Sequence, residues 1–86
     1  MKITKKTVAN KLAAYLRHGL SLGDLVEWAE RAMQEGVFAD DGAETISSVV
    51  ARLGVADVRA FGLTWEECEA MLKRLGFSAR VAIVAA

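Results

Sequence analysis

Four glycines divide this chain into segments with helical periodicity. Each glycine ends a run of apolar residues at helical spacing, and each is followed directly by an apolar residue: Gly19-Leu20, Gly36-Val37, Gly54-Val55 and Gly76-Phe77. Glycine enters the left-handed conformation without a Cβ clash, so it is the usual residue just past a helix end. The pattern predicts an all-α fold, a compact four-helix domain with short glycine corners.

Two of the expected helices have clear start signals. Ser21 is followed three residues later by Asp24, and Thr64 is followed in the same way by Glu67. A hydroxyl cap with an acid three positions on is typical of a helix N-terminus. We therefore expect helix two to run from the Ser21 cap to near Glu35, and helix four from 65 to 75.

The other two helices start less clearly. Helix one is expected to begin near Thr4 or Thr7 and to end at His18. Asp41 in the sequence Asp40-Asp41-Gly42 is expected to cap helix three, with Glu44 three residues later. A short helical turn over 56–61 should follow helix three.

Apolar residues at i, i+3, i+4 and i+7 define the expected buried face of each helix. These faces are Val8, Leu12, Tyr15 and Leu16 in helix one; Leu22, Leu25, Val26, Ala29, Ala32 and Met33 in helix two; Ile46, Val49, Val50 and Leu53 in helix three; and Trp65, Cys68, Met71, Leu72 and Leu75 in helix four. Phe77 is expected to pack back on Leu72 beyond the Gly76 stop.

The C-terminal tail, 78–86, is expected to be short and extended. Its β-branched residues favour a strand, and 2–4 at the N-terminus could supply a short partner. Pairing with another molecule, a mobile tail, and extension of a helix by the alanines are alternatives. The tail and the four helices together are expected to form one domain spanning 1–86, since the sequence has no proline and no low-complexity linker.

Charge is segregated along the chain although its net value is zero. Residues 1–18 carry five basic side chains and no acid, while all eleven acids fall within 24–69. Such a chain can pair its two charged parts internally or with a second copy. The simpler interpretation of this charge pattern is that the basic and the acidic parts form two separate faces exposed to solvent. A single cysteine and the absence of a long apolar run favour a cytoplasmic protein that does not enter a membrane.

Neither His18 nor Cys68 is expected to take part in catalysis. His18, the only histidine, falls in the last turn of helix one, where the helix dipole favours a cation. Cys68 lies on an apolar stripe beside acidic neighbours, which disfavour a thiolate. One cysteine and one histidine do not make a zinc site, and no glycine-rich phosphate loop is present. We therefore expect no catalytic residue, no metal, no cofactor and no small-molecule substrate.

A helix-turn-helix arrangement is the main alternative. A short helix, the turn 61–64 and helix four match its spacing. The face that would enter the major groove carries Glu66, Glu67 and Glu69, which phosphates would repel. Nucleic-acid binding is therefore not expected, and a DNA-binding regulator remains the second hypothesis.

The first hypothesis is a non-catalytic protein-interaction module that binds another protein or a second copy of itself, for example as a homodimer. Tryptophan is enriched at protein interfaces, and acidic residues around it would favour a basic partner. The candidate interface residues are Trp28, Trp65, Glu27, Glu30, Glu66 and Glu69.

Overall fold

The computed structural model describes residues 1–57 and 62–77. Along the chain these residues form β1 (Lys2–Ile3), α1 (Lys5–Leu16), α2 (Leu22–Glu35), β2 (Val37–Phe38), α3 (Ala43–Leu53) and α4 (Trp65–Arg74). The helices make the described part of the chain 64% helical and compact. The predicted mostly helical fold is therefore confirmed, but the sequence did not reveal β2 or its pairing. The predicted tail and most of the predicted turn over 56–61 lie outside the described residues.

Three helices begin at hydroxyl caps. The side chains of Thr4, Ser21 and Thr64 each accept a hydrogen bond from the backbone N–H three residues on. At Thr4 the Thr7 hydroxyl also accepts from the Thr4 backbone N–H at 3.2 Å, which completes a capping box. These local bonds satisfy donors that the first turn of a helix leaves open. The starts predicted at Ser21 and Thr64 are confirmed.

The predicted cap at Asp41 is wrong. The residue at the cap position of α3 is Gly42, with φ +80°, and no side chain caps this helix. The Asp41 carboxylate instead lies 3.7 Å from the Lys5 ammonium. Lys5 packs so closely on Gly42 that a Cβ there would lie 2.3 Å from its Cε atom. The left-handed turn explains why glycine takes the cap position, since the end of the flexible Lys5 side chain could move aside.

The glycine stops differ from one another. Gly76 has φ +92°, but Gly36 is extended and Gly54 is helical. At the end of α1 the left-handed residue is His18, with φ +63°, rather than Gly19. Gly36 is needed for lack of space and not for its φ, because a Cβ there would lie 2.9 Å from Ile3 Cγ1 and 2.4 Å from the Ala32 carbonyl oxygen.

Strands β1 and β2 are parallel, with Lys2 opposite Val37 and Ile3 opposite Phe38. This pairing brings the N-terminus onto the end of α2 and buries Ile3 completely. The helices enclose one core, in which α2 packs mainly on α3 and α1 contacts the other three helices. Its fully buried side chains include Ile3, Val8, Leu12, Leu25, Ile46, Val49, Val50, Leu53 and Cys68.

Most of the residues predicted to be buried are buried or half-buried, and three are exposed. Met33 is 49% exposed, Phe77 41% and Trp65 36%. Phe77 does return toward helix four through its backbone, whose N–H donates to the Leu72 carbonyl at 2.8 Å. Its side chain nevertheless remains largely open to solvent. No helix among the described residues is long and apolar enough to cross a bilayer.

Candidate protein-interaction site

An open apolar cleft lies where the end of α1, the beginning of α2 and the beginning of α4 meet. Its volume is about 420 Å³. The lining side chains are mostly apolar, with His18 and Ser21 as polar exceptions: Tyr15, Leu16, His18, Leu20, Ser21, Leu22, Leu63 and Trp65. We call this feature the Trp65 cleft.

The end of α1 sets one wall of the Trp65 cleft. The His18 N–H donates to the Tyr15 carbonyl at 3.0 Å, and the Gly19 N–H donates to the Ala14 carbonyl at 2.8 Å. This pair of bonds around a left-handed residue is a Schellman motif, with His18 in the position usually taken by glycine. It turns the chain sharply, so that Leu20 reaches the cleft beside Tyr15.

The opposite wall depends on contacts between α3 and α4. The Arg52 guanidinium on α3 donates to a Glu67 carboxylate oxygen at 2.5 Å and to the Gly62 carbonyl at 2.8 Å. Thr64 accepts from the Glu67 N–H at 3.1 Å. These bonds fix the segment before α4 and its first turn, which carry Leu63 and Trp65.

The two tryptophans occupy different environments. Trp28 is half-buried and packs against the core, and the Lys11 ammonium lies 5.6 Å from the centre of its ring. That distance is within the range of a cation–π contact. Trp65 is 36% exposed and lines the Trp65 cleft. Trp65 thus borders an open cavity, whereas Trp28 is part of the packing around the core.

The candidate glutamates do not surround this cleft. Glu27 and Glu30 are exposed on α2, where Arg31 lies 3.5 Å from Glu27. Glu66 is exposed and Glu69 half-buried on α4. None of the four is among the residues that line the Trp65 cleft. The structure thus places the candidate interface residues on two helices, and no hydrogen bond or ion pair joins the two groups within 1–57 and 62–77.

Cys68 is fully buried on α4, as its place on the apolar stripe predicts. Burial raises the pKa of its thiol from 9.0 to about 11; the negative charge of Glu67 adds to the increase, and Arg52 opposes it. A thiol with this pKa stays protonated near neutral pH and is a poor nucleophile. His18 lies beyond the end of α1 with an exposed side chain and borders the cleft.

The sequence names Trp65 as a candidate but does not predict the cleft that it lines. The expected buried faces include Tyr15, Leu16 and Leu22, and the structure leaves each of them half-buried. Their incomplete burial depends on how three helix ends meet, which local spacing does not encode. No group of three or more His, Cys, Asp or Glu side chains suited to a metal ion occurs in the described part of the chain.

The chain matches no protein-family model, no curated protein and no solved structure with which it was compared.

Proposed function

We propose that this chain is a non-catalytic protein-interaction module and that the Trp65 cleft receives an apolar part of its partner. The observation that carries the proposal is a partly exposed tryptophan on the rim of an open, mostly apolar cleft. A large aromatic ring beside an apolar depression is the arrangement found at the energetic centre of many protein interfaces.

The cleft also indicates the chemistry of the partner. Leucine and tyrosine side chains form its apolar surface, so the complementary group is an aliphatic or aromatic side chain. Ser21 and His18 lie in the lining as polar groups that can bond to the partner's backbone or polar side chains. The proposal places this interaction in the cytoplasm.

The second hypothesis, DNA binding, receives less support from α4. Glu66 is exposed in its first turn, and Glu67 is bonded to Arg52. Arg74, near the other end of the helix, donates to Ser48 at 3.2 Å. We therefore expect no salt-sensitive binding to duplex DNA at physiological ionic strength, because an acidic helix face is repelled by phosphates.

Site-specific photo-cross-linking in the cells that make the protein tests the proposal. A benzophenone side chain replaces Tyr15, which lines the cleft and leaves Trp65 in place, in one variant and Val55 in the other. Val55 is a matched control, because it is 40% exposed and does not line the cleft. The cleft variant is expected to give one discrete cross-linked protein after irradiation, and the control variant is not.

The result is interpretable only if both variants fold, which circular dichroism and thermal melting establish. Two outcomes contradict the proposal. One is that the folded cleft variant gives no discrete product. The other is that both positions capture the same set of abundant proteins, which would indicate non-specific contact with an exposed apolar side chain.

A further inference from the structure

A second groove lies on the side of the domain that carries the N-terminal lysines. Lys2, Lys5 and Lys6 border it, and Leu75 and Phe77 supply its apolar part. Lys2 and Lys6 are exposed. We call this feature the lysine groove. It is separate from the Trp65 cleft and shares no lining residue with it.

The lysine groove keeps a net positive charge. Asp41 is its only acidic lining residue, and the Asp41 carboxylate lies 3.7 Å from the Lys5 ammonium. The side chain of Asp41 is 92% exposed, so water screens this attraction strongly. Lys2 and Lys6 form no ion pair within the described residues, and their charges are available to an anionic partner.

An exposed aromatic ring completes the groove. The left-handed Gly76 turns the chain at the end of α4, and the Phe77 N–H donates to the Leu72 carbonyl at 2.8 Å. This closes a second Schellman motif, which fixes the backbone at Phe77, and 41% of the residue remains exposed. The groove thus combines ammonium groups with an apolar contact surface.

The exposed face of α2 has the complementary chemistry. Glu27, Glu30 and Met33 follow one another at helical spacing, and all three are exposed. Glu30 forms no ion pair within the part of the chain that the structure describes, and Glu27 lies 3.5 Å from Arg31 in a pair of exposed side chains that water screens strongly. The side chain of Met33, 49% exposed, can contact an aromatic ring through its thioether. We call these three residues the acidic ridge.

One edge of the lysine groove lies near the end of α2, the helix that carries the acidic ridge. Lys2 is the β-partner of Val37, which follows α2 after a single glycine. Glu30 precedes Val37 by seven residues, roughly 10 Å along a helix axis. Two patches of opposite charge on one molecule are self-complementary about a two-fold axis, since each copy supplies both halves of the interface.

We propose that the chain forms a two-fold dimer in which the lysine groove of each copy receives the acidic ridge of the other. The ammonium groups face Glu27 and Glu30, and Met33 rests against Phe77. A second copy supplies both carboxylates for the ammonium groups and an apolar side chain for Phe77, whereas the phosphate backbone of a duplex supplies only the negative charge.

Charge reversal with complementation tests the dimer. One variant carries Lys2→Glu and Lys6→Glu, and the other carries Glu27→Lys and Glu30→Lys. Analytical ultracentrifugation is expected to show that each variant alone dimerises at least about tenfold more weakly than the wild type. An equimolar mixture is expected to recover the dimer, because both of its contacts then join opposite charges. For the wild type, dimerisation should weaken about tenfold between about 50 mM and about 500 mM salt.

A control variant carries Arg17→Glu and Lys73→Glu, which makes the same charge change at exposed positions outside the groove. It should dimerise like the wild type, and thermal melting verifies that all variants fold. Recovery in the mixture separates a direct contact from damage to the fold, which mixing cannot repair.

Four results would overturn the proposal. The first is a wild type that stays monomeric at high concentration. The second is a dimer that persists in both variants. The third is a monomer that dimerises only after residues 78–86 are deleted, which would make the chain's own tail the occupant of the groove. The fourth is a monomer that binds poly-glutamate or single-stranded DNA through Lys2 and Lys6. None of these results bears on the Trp65 cleft, whose test is the cross-linking experiment.

Discussion

The contact between Arg52 and Glu67 provides a quantitative test of how α4 is held against α3. Replacing Arg52 with methionine keeps much of the side-chain length but removes the hydrogen bonds to Glu67 and to the Gly62 carbonyl. The Arg52 side chain is 27% exposed and that of Glu67 39%, so water screens their attraction only in part. An ion pair in this setting contributes about 1 kcal/mol, the upper end for surface pairs.

Loss of the bond to the Gly62 carbonyl adds about 1 kcal/mol. The Arg52→Met variant should therefore lose about 2 kcal/mol of unfolding free energy in total. Urea denaturation of the wild type, Arg52→Met, Glu67→Gln and the double variant separates the two contributions. The double-mutant cycle subtracts every other interaction of Arg52 and isolates its coupling with Glu67, expected to be about 1 kcal/mol.

The pair formed by Glu27 and Arg31 on α2 is a matched control. Its atoms lie 3.5 Å apart, and its side chains are 70% and 59% exposed. The same cycle there should give about 0.3 kcal/mol, as for other exposed i,i+4 pairs. If the coupling of Arg52 with Glu67 does not exceed that of the control, the contact does not hold α4 in place and the reasoning about this wall of the Trp65 cleft is refuted.

Three further predictions concern single residues. Thr64→Ala should lower the unfolding free energy by about 1 kcal/mol through loss of the helix cap, while Thr64→Ser should not; equal denaturation midpoints for the two would contradict this. His18→Gly should raise the unfolding free energy by about 0.5 kcal/mol, because relief of the left-handed strain at residue 18 exceeds the added entropy of the unfolded chain. A lower denaturation midpoint would show that this strain is absent. The raised pKa of Cys68 predicts that stability is retained below pH 9.0 and falls as the pH rises toward about 11, because the unfolded thiol ionises first; a Cys68→Ala variant should lack this part of the pH dependence.

The parts of the fold that the sequence predicted depend on local chemistry. A hydroxyl at Ser21 or Thr64 bonds a backbone N–H three residues away, so no knowledge of the rest of the chain is needed. Asp41 carries the same local signal, yet Gly42 adopts the cap position with Lys5 packed against it. The prediction at Asp41 thus failed because the backbone turns at Gly42 in the left-handed conformation and α3 begins one residue later.

The features missed by sequence analysis are non-local. Strands of two residues carry too little periodicity to identify, so the pairing of β1 with β2 became visible only in the structure. Gly36 has no room for a Cβ because it lies against Ile3 and the Ala32 carbonyl oxygen. Trp65 could be named as a candidate from its residue type and helix position alone. The cleft around it could not, because the cleft depends on three helix ends that meet in space.

The central claim is that the chain binds a protein partner through the Trp65 cleft. The most direct measurement is the affinity of the cross-linked partner, once purified, for the wild type and for Trp65→Ala by isothermal titration calorimetry, with Val55→Ala as the control. Truncating a tryptophan at the centre of an interface costs about 2 kcal/mol or more, so Trp65→Ala should weaken binding by about thirtyfold and Val55→Ala should leave it unchanged. Equal affinities for the wild type and Trp65→Ala would contradict the account.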